Sequence, residues 1–277
     1  MDSKWVETLS RSWDIVVQHP KVLLPKLVVA ALYGLLLIWT AQSLTVFTAP
    51  QTTIDPLQLQ QLARFSVLSL GLSLIALVVD ILVNAMYPVI VNQINSKKNV
   101  SLGKAFGESL EHASRIIPLN ISVIIIFSLI LTPFMILIIF SKLIAGPNEL
   151  LATAIGFAGM GVIGLLVFVA FYFSNTIVVI EKRGVIQSMG KSIELGKKYF
   201  KDVTGLSIIS LLLALISMYL AFAIGGLGAG VVYGIAFIAL RLVTVVLYTY
   251  QYVLSPVLYF QLNRSEGAAR KVVKQGK

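Results

Sequence analysis

Three short segments share one pattern, and the first of them reads Thr8-Leu9-Ser10-Arg11-Ser12-Trp13-Asp14. The second reads Ala105-Phe106-Gly107-Glu108-Ser109-Leu110-Glu111, and the third reads Ser188-Met189-Gly190-Lys191-Ser192-Ile193-Glu194. After its first residue, each segment has the order apolar, small, charged, Ser, apolar, acid. Each lies just before a pair of long apolar segments. The pattern therefore predicts three copies of one unit, an amphipathic helix followed by a membrane hairpin.

The composition is typical of an integral membrane protein. Hydrophobic residues make up 57% of the 277 residues and charged residues only 12%, whereas about a quarter of a typical soluble domain is charged. About 20 apolar residues are needed to cross the hydrocarbon core. Six runs are long enough, and they cover about 22–48, 65–94, 119–145, 150–180, 203–225 and 229–262. We therefore expect an all-α, polytopic fold in a single membrane domain, residues 1–277.

The three short segments have the spacing of interfacial helices, which lie in the plane of the lipid headgroups. They are predicted over about 3–18, 101–117 and 185–201. Their apolar faces are predicted to contain Trp5, Leu9, Trp13 and Val16, then Leu102, Phe106, Leu110 and Ala113, then Val185, Met189, Ile193 and Phe200. Two interpretations stay open. The helices either anchor the bundle and seal one rim, or they sense lipid or bind a partner.

The distribution of basic residues predicts the orientation. Of the 22 Lys and Arg residues, four precede the first span, four lie between spans two and three, six between four and five, and five after six, so 19 fall on one side. The other side carries Arg64 and Lys142, and Arg241 lies inside a span. The positive-inside rule then places both termini in the cytoplasm of a multi-pass cell-membrane protein.

Anionic lipid headgroups account for this basic face, at about 1 kcal/mol per basic residue near the surface. Membrane lipids are therefore the expected partners, and no nucleic acid is expected. The sequence leaves a protein partner or an oligomer open.

Polar residues form stripes on two of the apolar spans. Asp80 lies near the middle of span two, and because a carboxylate at that depth costs about 2.5–3.5 kcal/mol on insertion scales, it should face the bundle interior or water. Its stripe, at spacings of three, four or seven residues, is Ser66, Ser69, Ser73, Asp80, Asn84 and Tyr87. The stripe on span six is Arg241, Thr244, Tyr248, Gln251 and Ser255.

The stripes support two hypotheses. The first is a polar cavity between spans two and six, in which Asp80 binds a cation or proton and Arg241 binds an anion. The candidate ligand residues are Asp80, Asn84, Ser73, Arg241, Thr244 and Tyr248. The second is structural, with Asp80 and Arg241 either paired or each satisfied by hydroxyls and water.

Spans two and six also end alike. Span two ends in Pro88-Val89-Ile90-Val91-Asn92-Gln93-Ile94-Asn95, and span six ends in Pro256-Val257-Leu258-Tyr259-Phe260-Gln261-Leu262-Asn263. A proline inside a helix removes a hydrogen bond and kinks the helix. We expect kinks at Pro88 and Pro256. They either open a vestibule at the cytoplasmic end or are an inherited packing detail.

Sequence signatures of catalysis are missing. The chain has no cysteine, and its two histidines, His19 and His112, have no metal-ligand spacing around them. It also has no GxSxG, HExxH or Walker A motif. We therefore expect no catalytic residue, no metal and no cofactor. The favoured function is a non-catalytic, lipid-interacting or transport-related protein. The alternatives are a secondary transporter or channel for a small solute that uses the two stripes, and a membrane enzyme acting on lipid.

One cytoplasmic segment carries a family resemblance. It reads Glu181-Lys182-Arg183-Gly184-Val185-Ile186-Gln187-Ser188-Met189-Gly190-Lys191-Ser192. With six spans and both termini inside, it resembles the six-helix membrane domain of bacterial glycerophosphodiester phosphodiesterases and related uncharacterised prokaryotic membrane families. The resemblance implies the fold and the membrane location over nearly the whole chain. It implies no catalytic site, because the soluble barrel domain of those enzymes has no counterpart here.

Overall fold

The computed structural model describes residues 4–45, 56–144, 149–225 and 231–275. Within those ranges the regular structure is helical, without strands. Six described segments are long and apolar enough to cross a membrane: Pro20–Thr40, Ala63–Asn95, Ala113–Ser141, Glu149–Ile180, Phe200–Ser217 and Ile235–Arg264. They correspond to the six predicted spans. Parts of the predicted spans at 46–48, 145 and 229–230 lie outside the described residues.

The helices are α1 (Lys4–Gln18), α2 (Leu24–Thr45), α3 (Pro56–Asn95), α4 (Leu102–Glu111), α5 (Ala113–Ile144), α6 (Glu149–Phe171), α7 (Ser174–Ile180), α8 (Val185–Lys198), α9 (Phe200–Gly225) and α10 (Val231–Gln275), with a 3-10 turn at Pro20–Leu23. The second short helix ends at Glu111 rather than near 117. It begins at a serine cap, because Lys104 N donates to Ser101 Oγ at 3.3 Å and satisfies one free amide of the first turn.

The long helices pack as three hairpins, α2–α3, α5–α6 and α9–α10. Helices α3, α7 and α10 contact one another at the centre. Each hairpin also contacts the next, through α3–α5, α6–α9 and α10–α2. Of the short helices, α1 packs against α10, α4 packs against α3, and α8 packs against both α6 and α7. We call the end of the bundle that carries these three helices the short-helix end.

Packing is tight near the short-helix end and loose away from it. Residues 81–91 of α3 are all buried, whereas residues 70–75 of the same helix are exposed. Tyr87 is fully buried, and its hydroxyl lies 3.4 Å from both the Val22 carbonyl and Thr249 Oγ1. Exposed apolar side chains on the looser half are in keeping with a lipid environment. The reduced packing there also leaves room for a cavity between helices.

The short helices contact the bundle through small side chains and through part of the predicted apolar faces. Of those faces, Val16 is buried in the core, and Trp5, Leu9, Leu102, Val185 and Met189 pack against it. The fully buried pairs are Thr8 and Ser12 in α1, Ala105 and Ser109 in α4, and Ser188 and Ser192 in α8. By contrast, Trp13, Phe106 and Leu110 are 43–51% exposed. Small residues allow close approach of helix backbones. Trp13, Phe106 and Leu110 therefore lie beside the contact with the bundle, where lipid can cover them.

The fourth predicted span is two helices, α6 and α7, rather than one. At the break, Ser192 Oγ of α8 accepts a hydrogen bond from Phe173 N at 3.1 Å and donates to the Ala170 carbonyl at 2.8 Å. Ser255 Oγ of α10 donates to the Tyr172 carbonyl at 2.8 Å. These hydroxyls replace hydrogen bonds that an unbroken helix would make within its own backbone. The break therefore depends on two helices distant in the sequence.

Candidate binding site

An ion pair lies inside the first hairpin. Lys26 Nζ of α2 is 2.7 Å from Asp80 Oδ1 of α3, and the two side chains are 5% and 21% exposed. Asn84 Nδ2 donates to the second carboxylate oxygen of Asp80 at 3.3 Å. The prediction that Lys26 precedes the first span is wrong, because Lys26 lies within the apolar segment Pro20–Thr40. The partner of Asp80 in the structure is therefore Lys26.

Two tyrosines of α10 complete the surroundings of Lys26. Its ammonium nitrogen lies 4.0 Å from the ring centroid of Tyr252 and 5.6 Å from that of Tyr248. The negative face of an aromatic ring attracts a cation. Removing two charges from water is costly, and their mutual attraction offsets the cost only where the geometry is good and further contacts contribute. The carboxylate and the two rings supply those contacts.

The ion pair forms part of the wall of a cavity of about 590 Å³ between α2, α3 and α10, which we call the charged crevice. The volume lies within the range of about 300–1,000 Å³ typical of small-molecule sites. Among the described residues that line it, the charged ones are Lys26, Asp80 and Arg241, and their formal charges sum to +1. Hydroxyl groups are contributed by Tyr33, Thr40, Ser73, Thr244, Tyr248 and Tyr252.

Arg241 enters the crevice from α10. Its guanidinium carbon lies 5.3 Å from the ring centroid of Phe237, one turn earlier on the same helix. The nearby hydroxyl of Thr244 donates to the Arg241 carbonyl at 2.7 Å. The arginine therefore has an aromatic neighbour on its own helix and lines the same space as the Lys26–Asp80 pair.

A second cavity, of about 220 Å³, lies between α3, α5, α6, α7, α9 and α10. Its polar lining consists of Asn84, Tyr172, Asn175, Thr176, Ser210, Gln251, Tyr252 and Ser255. No Asp, Glu, Lys, Arg or His occurs among the described residues that line it, so we call it the neutral cavity. Pro88 and Pro256 also line it, and both lie inside continuous helices.

Asn84 and Tyr252 form the boundary between the two cavities. Tyr252 lines both. Asn84 lines the neutral cavity and binds Asp80, which lines the crevice. Asn84 is buried. The two cavities are therefore separated by the thickness of a few side chains.

The predicted site residues fall in both cavities. Ser73, Asp80, Arg241, Thr244 and Tyr248 line the charged crevice, and Asn84 lines the neutral cavity. The predicted wall was spans two and six, but the structure adds α2 as a third wall.

Sequence reasoning missed three polar residues of that third wall. These are Lys26, Tyr33 and Thr40, all on α2. A signal was present, because Lys26 lies within the predicted span 22–48 and is as unusual there as Asp80 is in span two. The long side chain of a lysine near a helix end usually reaches water.

A separate charged cluster lies at the short-helix end. Glu181, after α7, accepts hydrogen bonds from Lys191 of α8 and Tyr259 of α10, and its other oxygen is 2.6 Å from Arg183 Nε. Burial alone would raise the pKa of Glu181, but the hydrogen bonds from Lys191 and Tyr259 and the charges of Lys191 and Arg183 outweigh it, so this pKa lies below its ordinary value. The cluster joins three helices.

Scans against protein-family models, curated proteins and solved structures find no match for this chain. The six apolar helices support a multi-pass membrane protein. The resemblance to the membrane domain of glycerophosphodiester phosphodiesterases stays a prediction.

Proposed function

We propose that the protein is a non-catalytic membrane protein that binds an anionic or zwitterionic solute in the charged crevice. The observation that carries the proposal is the presence of three charged side chains on one cavity inside apolar helices. Ionisable residues within membrane spans are costly and usually mark a binding or transport site.

The charges favour an anionic group on the ligand. Asp80 and Lys26 form an ion pair, and Arg241 lines the same cavity, so the described charged residues of the lining sum to a formal charge of +1. A planar guanidinium binds carboxylate or phosphate through two parallel hydrogen bonds. Hydroxyls of Tyr33 and Tyr248 line the same space and can donate to such a group. A positive group on the same ligand would lie near Asp80.

Native mass spectrometry of the protein released from lipid nanodiscs tests this. The wild type is expected to retain a specific anionic molecule that Arg241→Gln loses. The matched control is Arg64→Gln, because Arg64 is exposed and does not line the crevice. Equal retention by wild type and Arg241→Gln, with both proteins folded, would contradict the proposal.

A second candidate function is transport of the bound solute. The observation in its favour is the neutral cavity, which adjoins the crevice at Asn84 and Tyr252. Movement of these two side chains would connect the two spaces. The prolines Pro88 and Pro256 lie at the level of the neutral cavity and suit helices that bend there.

Binding and transport are separated by a variant that fills the neutral cavity alone. Ser210 lines that cavity and is buried, so Ser210→Phe reduces the free space without touching the crevice. In proteoliposomes loaded with radiolabelled inorganic phosphate, a transporter would lose efflux in this variant and keep ligand binding. Absence of efflux in the wild type would leave binding as the function, and efflux that Ser210→Phe leaves unchanged would contradict a path through the neutral cavity.

We also propose that the chain consists of three repeats. The cyclic order of the contacts supports this, because each short helix packs on the second span of the hairpin before it, and α1 packs on that of the last hairpin. A local backbone feature also supports the repeats. Lys97 and Lys182 both have a positive φ, of 54° and 55°. Lys97 lies nine residues after Pro88 in α3, and Lys182 lies nine residues after Phe173, at the break before α7.

The proposed orientation has both termini and the short-helix end in the cytoplasm, where the basic residues meet anionic lipid headgroups. The chain contains no cysteine, so single-cysteine variants report one position each. Lys98→Cys, in the exposed turn after α3, should react with an impermeant maleimide only after cells are opened. Glu149→Cys, at the other end of the bundle, should react in intact cells. The reverse labelling pattern would contradict the orientation.

A further inference from the structure

A groove on the outer surface of α2 and α10 adjoins the charged crevice. Its volume is about 340 Å³, and the described residues that line it are apolar or glycine apart from Arg241. Leu35, Ile238 and Leu242 line it and are 51–66% exposed, so it faces the surroundings of the bundle. We call it the apolar groove. In a membrane these surroundings are lipid chains.

Arg241 connects the groove with the crevice. Arg241, Ala30 and Val245 line both spaces. Gly34 lines the groove opposite Phe237, and a Cβ at Gly34 would lie in ordinary van der Waals contact with the Phe237 ring, at 3.6 Å. The side chain of Arg241 therefore lies at the boundary between the lipid-facing apolar groove and the charged crevice.

From this arrangement we infer that the ligand of the charged crevice is a membrane amphiphile with an anionic headgroup. The headgroup binds beside Arg241 in the crevice, and the hydrocarbon chain lies in the apolar groove. The ligand then enters sideways from the bilayer. This inference rests on the proposed function and names the class of ligand for the same site.

The groove distinguishes an amphiphile from a water-soluble anion. A soluble anion would use only the polar crevice and gain nothing from the apolar groove. For an amphiphile the groove adds little affinity by itself, because lipid tails are as apolar as its lining. Its effect is to position the chain so that the headgroup stays next to Arg241. Specificity therefore comes from the charge, and access comes from the groove.

Dodecyl phosphate is a suitable probe, with dodecanol as the uncharged equivalent and inorganic phosphate as the chainless one. The first two are added to phosphatidylcholine nanodiscs, and retention is counted by native mass spectrometry. Inorganic phosphate is followed by the shift in unfolding temperature of the purified protein. We expect the wild type to retain dodecyl phosphate over dodecanol, and Arg241→Gln to lose about tenfold or more of this retention.

Filling the groove tests the position of the chain. Gly34→Leu occupies the groove, and Leu35→Trp does so from its exposed rim, which keeps the test valid if the first variant folds poorly. Both should lose dodecyl phosphate and keep the response to inorganic phosphate. Gly71→Leu is the matched control, because a Cβ at Gly71 meets nothing within 4 Å.

The two proposals fail in different ways. Retention of dodecyl phosphate by Gly34→Leu and Leu35→Trp at the wild-type level would overturn the amphiphile inference and leave the anion site in place. Failure of the wild type to respond to either phosphate compound would overturn both. Equal retention of dodecanol and dodecyl phosphate would also overturn both, because the site would not select charge.

Discussion

The charged crevice and the neutral cavity share two helices and differ in chemistry. Helices α3 and α10 line both. The crevice takes its third wall from α2, which brings Lys26, whereas the neutral cavity takes amide and hydroxyl groups such as Asn175 and Ser210 from α7 and α9. The stripes on α3 and α10 supply Asp80 and Arg241 to the crevice, and the formal charges of these two residues cancel. The neighbouring helix α2 adds Lys26, and with it the net positive formal charge of the described lining.

The largest loss of unfolding free energy is expected from Lys26→Met. This change leaves the Asp80 carboxylate in the crevice without its cation, and breaking a buried pair costs about 3–5 kcal/mol. Because Asp80 is partly exposed, we expect about 3 kcal/mol of lost unfolding free energy, measured by SDS titration in micelles. The double variant Lys26→Met with Asp80→Asn should recover more than half of the loss. Additive losses would show that the crevice does not depend on the pair.

Ser192→Ala tests the neutral cavity in the same assay. Its hydroxyl satisfies two backbone groups at the break between α6 and α7, and this break places Tyr172 and Asn175 on the cavity wall. Losing both hydrogen bonds should cost about 1–2 kcal/mol. Ser10→Ala is the control, because Ser10 is exposed on α1 and should change stability by less than about 0.5 kcal/mol. Equal effects at the two serines would contradict the assignment.

A smaller effect is expected from Asn175→Leu. Asn175 and Asn120 exchange two side-chain hydrogen bonds, of 2.8 and 3.2 Å, between α7 and α5. Hydrogen bonds between membrane helices average about 0.6 kcal/mol and reach about 1.7 kcal/mol. The loss should therefore be well below that for Lys26→Met. If Asn175→Leu loses as much unfolding free energy as Lys26→Met, the polar contacts of the neutral cavity contribute as much stability as the ion pair of the charged crevice. The expected difference between the two cavities would then be contradicted.

The smallest change in unfolding free energy is expected at Glu181, which lies outside both cavities. Because the pKa of Glu181 is lowered in the folded protein, its stabilising contribution is present above the ordinary carboxyl pKa. It is lost as the pH falls from about 5 towards 3. Solvent screening at this site limits the effect to below about 1 kcal/mol. Glu181→Gln should reduce the acid sensitivity of unfolding and leave ligand retention unchanged. An unaltered pH profile would contradict the role of the cluster.

The six spans and the positions of the short helices could be read from the sequence. Apolar runs of sufficient length and amphipathic spacing are local signals, and they place these elements to within a few residues for most ends. The break between α6 and α7 was not predictable in this way, because neither proline nor glycine marks it. It is produced by Ser192 and Ser255, which reach it from α8 and α10.

The candidate site was predicted in part. The stripe spacing singles out Asp80 and Arg241, and both line the charged crevice in the structure. It does not identify the partner of Asp80, because the choice between Lys26 and Arg241 depends on how three helices cross. Charge near the start of an apolar run is ambiguous in the sequence alone. Only the packing of α2 against α3 decides whether that lysine reaches water or the carboxylate.

The confinement of the Lys26–Asp80 pair to the first hairpin bears on biosynthesis. Both charges belong to α2 and α3, which are synthesised before α10, so the nascent hairpin can offset them before α10 exists. Arg241 belongs to the last helix and meets a pair that is already formed. The crevice is therefore completed only when translation reaches α10, and a chain truncated before α10 would insert without the α10 wall of the crevice.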